Sequence, residues 1–144
     1  MTSDPETSRL VRRHLRFGWA SLFVFVLLGG VLESMHGFKI DWYLAVGNET
    51  RRLLWRLAHA HGTFLGLVHV AFALSVAHIG GQAPRLSSAC LMGASIALPG
   101  GFLLGGFGVQ GGDPGAGIVL VPLGLLLLLI AIGGFWRSLG PPAV

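Results

Sequence analysis

Residues 55–79 read WRLAHAHGTFLGLVHVAFALSVAHI, a run of 25 residues with one arginine, four histidines and no acid. At about 1.5 Å of rise per residue, a helix of this length crosses a hydrocarbon core about 30 Å thick. Inside lipid a backbone must satisfy every N–H and C=O internally, so the segment must be helical. Ionisable side chains are costly there, and those that occur pair with a partner or mark a site. His59, His61, His69 and His78 are therefore the residues to explain.

Three further stretches share the apolar character: roughly Phe17–Met35, Ser87–Val109 and Gly115–Trp136. The chain has 144 residues, 53% hydrophobic and 11% charged, with a mean hydropathy of +0.72. Soluble domains carry about 25% charged residues. The expected fold class is all-α, an integral membrane bundle of four transmembrane helices. Residues 1–13 read as a cytoplasmic N-terminal tail, 14–136 as the four-helix transmembrane domain and 137–144 as a short C-terminal tail. The polar start, MTSDPETS, reads as disordered. The first apolar stretch resembles a signal peptide in its basic start, but Glu33-Ser34-Met35-His36 replaces the small-x-small cleavage pattern, so it is kept as a helix.

The net charge of +4 sits in loops and helix ends. Arg9, Arg12, Arg13 and Arg16 follow one another at i, i+3, i+4 and i+7 and share a helix face. No basic stripe with interleaved aromatics lies outside the apolar segments, which argues against nucleic acid as a partner. With both termini inside, the inner loops hold six basic residues: Arg9, Arg12, Arg13, Arg16, Arg85 and Arg137. The outer side holds four: Lys39, Arg51, Arg52 and Arg56. Positive residues favour the cytoplasmic side, so the expected location is a cell (inner) membrane with both termini cytoplasmic. The basic N-terminal face is a topology signal or, alternatively, a contact for an anionic lipid.

The longest loop, His36–Arg52, carries Trp42 and Tyr43, which suit the headgroup layer. Its Asn48-Glu49-Thr50 matches a glycosylation sequon. In the third apolar stretch Gly93, Ala97, Gly101 and Gly105 recur every fourth residue, a ribbon that lets another helix approach closely. Pro99 is expected to kink that helix. The ribbons fit a membrane-protein partner or a second copy of the chain, and membrane lipids cover the rest. Leu123–Ile130 has no polar handle and reads as lipid-facing. The lone cysteine, Cys90, reads as a small buried residue.

Gly18, Leu22, Val26, Gly29, Glu33 and His36 fall on one face of the first helix, which turns Glu33 toward the bundle. The second helix runs back, bringing Arg56, His59 and His61 to the depth of Glu33 and His36. Gln110 and Asp113 return to the same end. His69 falls near mid-membrane, and His78 comes near His14 at the inner end, where both read as headgroup-level residues. His59 shares a face with Gly62, Gly66, His69, Ala73 and Ala77. His59 and His61 lie about 200° apart at about 100° per residue, so one ion cannot draw on both from a regular helix. Candidate ligands for a transition metal (Fe, Cu or Zn) are Glu33, His36, His59 and His61, since imidazole and carboxylate suit these ions. Candidate contacts for a cofactor such as haem b are His36, His59, His61, His69 and Arg56. Glu33 alternatively forms an ion pair with Arg56.

The segment Leu57-Ala58-His59-Ala60-His61-Gly62 resembles the His-x-His helix of haem-copper oxidase subunit I. In that family the two histidines point to opposite sides and ligate two different haems. The resemblance covers one and a half turns, and the family's larger helix count and other ligand motifs are absent. It implies that His59 and His61 each ligate a haem or metal. The expected function is thus a His/Glu site near the outer membrane face, binding haem b or a transition metal for electron transfer or as a respiratory-complex partner. A non-catalytic accessory or scaffold subunit, or a small proton-coupled transporter, are the alternatives.

Overall fold

A computed structural model describes residues 4–79 and 84–139. The helices are α1 (Pro5–Gly37), α2 (Asp41–Leu44), α3 (Glu49–Ile79), α4 (Arg85–Phe107) and α5 (Leu120–Ser138). Short 3₁₀ turns, Val46–Asn48 and Ala116–Val119, lead into α3 and α5. Four of these helices are long and apolar enough to cross a membrane, and no strand occurs among the described residues. The fold class is therefore the expected all-α, four-helix membrane bundle. Neighbours in sequence are neighbours in space: α1 packs on α3, α3 on α4, and α4 on α5.

The expected tail 1–13 is corrected in part. Helix α1 begins at Pro5, so residues 5–13 extend the first membrane helix as one rod. The reason is local. Asp4 caps the first turn by accepting from the Glu6 N–H at 3.3 Å, Pro5 supplies a preset φ, and Glu6 complements the helix dipole. At the other end α5 runs through Ser138, and the ends 1–3 and 140–144 lie outside the described residues.

Small residues set the helix spacing. A Cβ added at Gly18 would meet the Gly66 carbonyl at 2.8 Å, which makes α1 and α3 touch at backbone level. Gly29 receives the His59 ring and Gly62 the Phe25 ring. The ribbon on α4 faces α5: a Cβ at Gly101 would meet Val121 N at 3.0 Å, and one at Gly124 would meet Leu98 N at 2.7 Å. Between lipid-like surroundings and protein there is no hydrophobic drive, so this close dispersion contact holds the helices together. Helix α4 continues through the buried Pro99. On α5, Leu123, Leu125, Leu126, Leu129 and Ile130 are exposed as expected, while Leu127 and Leu128 are half-buried against the core cluster that includes Phe72 and Leu91.

The 38–48 connection is fastened by arginines. Arg52 donates to the carbonyls of Tyr43 at 2.7 Å and Ala45 at 2.9 Å, and Arg51 donates to Asn48 Oδ1 at 2.6 Å and Gly106 O at 3.1 Å. Asn48 itself donates to Trp42 O at 2.6 Å, so the sequon residue serves as a loop brace. Trp42 is exposed as the headgroup reading requires, but Tyr43 is buried against Leu32 and Trp55. The 110–113 turn has Gly111 and Gly112 at positive φ (58° and 92°), the backbone a two-residue type I′ turn demands.

Candidate functional site

The stripe that buries α1 runs through Thr7, Leu10, His14, Gly18, Ser21, Gly29 and Leu32. His14 lies one turn before Gly18 and so enters the bundle with it. From α3 the Gly62, Gly66, His69, Ala73 face meets it, as the shared-face reading expected. Both imidazoles are 0% exposed, and their Nδ1 atoms lie 2.6 Å apart. The ring planes differ by 26°. Phe17 leans on His69 and Phe72 on His14, at centroid distances of 4.5 and 4.6 Å. These rings pack against the pair.

Helix α4 supplies the outer partners. His14 Nε2 is 2.7 Å from Ser88 Oγ, and His69 Nε2 is 2.9 Å from Ser95 Oγ. Ser88 and Ser95 are seven residues apart, two helical turns, so both fall on the same face of α4. Arg13 Nη2 donates to Ser88 Oγ, and Ser95 Oγ donates to Leu91 O at 2.8 Å.

Proton positions follow from these contacts. A hydroxyl has one hydrogen, and that of Ser95 goes to Leu91 O, so Ser95 Oγ accepts from His69 Nε2–H. With both rings neutral, His69 Nδ1 is then the acceptor and His14 Nδ1–H the donor. His14 Nε2 in turn accepts from the Ser88 hydroxyl, whose oxygen accepts from Arg13. Five hydrogen bonds therefore point one way, from Arg13 through Ser88, His14, His69 and Ser95 to Leu91. A buried polar chain with every member satisfied is stable in low dielectric, and a half-satisfied one is not.

The opposite end of the α1–α3 hairpin holds an open cavity of about 250 Å³, lined by Glu33, His36, Arg56 and His59 with Val26, Gly29, Gly30 and Leu32. Four of the expected site residues do come together there. Glu33, His36 and Arg56 are exposed, and His59 is half-buried. Glu33 thus faces outward from the hairpin instead of into the bundle, because Gly29 and Leu32 take the buried stripe. The ion pairs among the described residues are Glu49–Arg52 and Glu6–Arg85, so Glu33 and Arg56 share a cavity without pairing. His59 Nδ1 lies 2.6 Å from Phe25 O, which places its proton on Nδ1 and leaves Nε2 with a free lone pair.

The remaining expected residues separate. His61 points elsewhere, with Nδ1 2.8 Å from Leu57 O and its ring 4.9 Å from Phe102, as the angular argument required. His69 belongs to the buried pair at the other end. His78 is exposed at the end of α3, and the partner of His14 is His69, not His78. Gln110 and Asp113 bond to each other through their backbones and do not line the cavity.

Neither site gathers a ligand set. No group of three or more His, Cys, Asp or Glu side chains is placed to hold a metal ion among the described residues. Two Nδ1 atoms on one tetrahedral ion would stand about 3.3 Å apart, given metal–nitrogen distances of about 2.0–2.1 Å. The 2.6 Å between His14 and His69 is a hydrogen bond. Comparison with protein-family models, with curated proteins and with solved structures finds no match.

His14 escaped the sequence reading because Arg12, Arg13 and Arg16 surround it and suggest a headgroup position. Continuing the Gly18 face back by four residues would have found it. The α4 serines were passed over because the glycine ribbon dominates that helix.

Proposed function

We propose that this protein is a membrane-embedded proton relay of the proton-coupled transporter class, with the His14–His69 pair as its inner station. The directional hydrogen-bond chain through two fully buried imidazoles carries this reading. A proton delivered to His14 Nε2 passes the Nδ1 proton across the 2.6 Å contact to His69 Nδ1. His69 then releases its Nε2 proton toward Ser95. One proton enters, one leaves, and both rings exchange tautomers. The chain resets when the rings and the serine hydroxyls reorient without carrying the proton back. Ten residues separate His69 from His59, about 15 Å along α3 at about 1.5 Å per residue. Gly62, Leu65 and Gly66, which are buried, occupy that interval, so transfer onward to the Glu33/His36/Arg56/His59 cavity requires a conformational step. The basic N-terminal helix face supports an orientation with both termini cytoplasmic, in a cell (inner) membrane.

The test is proton flux into vesicles carrying the purified protein, driven by a potassium diffusion potential and read by a trapped pH dye. Wild-type vesicles should acidify faster than protein-free ones. His69→Ala should slow that excess rate by about a hundredfold, the scale of a positioned proton-transfer group. Equal rates with and without protein, at both polarities, would overturn the relay.

One observation favours a second reading. A Nδ1 proton held by a backbone carbonyl, as in His59, is how ligating histidines are oriented. His59 could serve haem b or a transition metal as a single ligand, with Arg56 beside it. Glu33 and His36 do not complete a three-ligand group. Protein purified gently from its native membrane should then show a Soret band or stoichiometric metal, lost in His59→Ala. Absence of both in the wild type rejects this reading.

A further inference from the structure

At the bundle end that holds the first turn of α1, a second polar cavity of about 360 Å³ lies between α1 and α4. It is lined by Glu6, Arg9, Leu10, Arg13, Arg85 and Ala89. Three guanidinium groups thus face one space with a single carboxylate. Glu6 is already committed: Arg85 Nε and Nη2 both donate to its two carboxylate oxygens. Arg13 spends one nitrogen on Ser88. Arg9 makes no hydrogen bond or ion pair among the described residues. Two positive charges remain uncompensated around the cavity, with most of their N–H donors unused. Arginine's fork of donors matches the oxygens of a phosphate group.

We propose that this cavity binds a phosphate group, supplied by the headgroup of an anionic phospholipid. Its position supports that source. The cavity sits at the end of two membrane-crossing helices, where headgroups lie, and Leu10 and Ala89 offer an apolar edge below the arginines. The proposal stands independently of the proton relay, although Arg13 belongs to both. A phosphate that recruits Arg13 draws it from Ser88 and so touches the first link of the histidine chain.

Binding is read by native mass spectrometry of lipid retained from mixed micelles, with phosphatidylglycerol and phosphatidylcholine as the two probes. Phosphatidylglycerol should be retained preferentially. Arg9→Gln should weaken its retention about fivefold, the scale of one basic residue at an anionic surface, and Arg9 makes no hydrogen bond or ion pair among the described residues, acting on Glu6 only through space. Arg12→Gln removes the same charge from the same helix outside the cavity and should lower retention clearly less than Arg9→Gln does. Inorganic phosphate, titrated against the protein in neutral detergent, distinguishes the source. Stabilisation by phosphate with no preference for phosphatidylglycerol would retain the phosphate site but replace the lipid. Equal retention of both lipids without any effect of phosphate, or equal losses for Arg9→Gln and Arg12→Gln, would overturn the site.

Discussion

The two histidine sites differ in closure. His14 and His69 are sealed, with each ring nitrogen hydrogen-bonded and aromatic rings packed against the pair. His59 shares an open cavity with Glu33, His36 and Arg56, none of which pairs with another. Burial explains the contrast. Away from water an unsatisfied donor costs roughly several kcal/mol, so a fully enclosed pair of imidazoles is favoured by a complete network. Where a cavity is open, its surroundings can satisfy charges, and geometry there is free to stay loose. The sealed site carries more of the stability, and the open site is better placed to exchange ligands or protons with the outside.

That contrast is tested hardest by His69→Ala. The substitution leaves the His14 Nδ1–H without an acceptor, takes from the Ser95 oxygen the N–H it accepts, and opens a void between α1 and α3. A loss of about 3 kcal/mol is expected, combining an unpaired buried donor with large-to-small truncation. Thermal unfolding of the detergent-solubilised protein measures it. Should His69→Ala prove neutral, the sealed site would be no more structural than the open one.

Packing away from both sites should give the next largest effect. Gly101→Leu drives a side chain into Val121 and Leu120 and should cost about 2 kcal/mol in the same assay. Gly100→Ala is the internal control, since a Cβ there meets nothing within 4 Å. Equal melting temperatures for the two variants would mean that α5 does not seat on the α4 ribbon. His59→Ala follows at about 1 kcal/mol, the net worth of one hydrogen bond. Only the contact to the Phe25 carbonyl and the packing on Gly29 are lost, in a half-buried setting.

The order of these effects also marks what was legible in the sequence. Apolar length identified four helices, and the four-residue spacing from Gly93 to Gly105 identified the contact face of α4, because both are properties of one helix at a time; that α5 is the helix seated there was not legible. Pairing depths across the hairpin brought Glu33, His36, Arg56 and His59 to one level. Depth does not determine which way a side chain turns at the end of a helix, so Glu33 was placed inside when Gly29 and Leu32 hold the buried stripe. The His14–His69 contact needs the rotational register of α1 against α3, fixed by Gly18 meeting Gly66. Ser88 and Ser95 add a third helix, and no spacing within α4 announces that two serines meet imidazoles from elsewhere.

The smallest effect on stability should come from Glu33→Gln, which sharpens the comparison from the open side. Its carboxylate is exposed and forms no ion pair, so the fold draws nothing specific from its charge. The melting temperature should move by no more than about 0.5 kcal/mol equivalent, as for a surface substitution. Function is a separate matter. With the charge gone, Arg56, His36 and His59 line the cavity without a counter-charge, and a proton or cation arriving from that side meets a less favourable potential. In the vesicle assay Glu33→Gln should slow proton entry from the cavity side more than entry from the Arg13 side. A melting-temperature drop as large as that of His69→Ala would instead mean that Glu33 is held in a buried pair with Arg56. The two ends of the hairpin would then be alike in closure, and the division between a sealed station and an open one would fall.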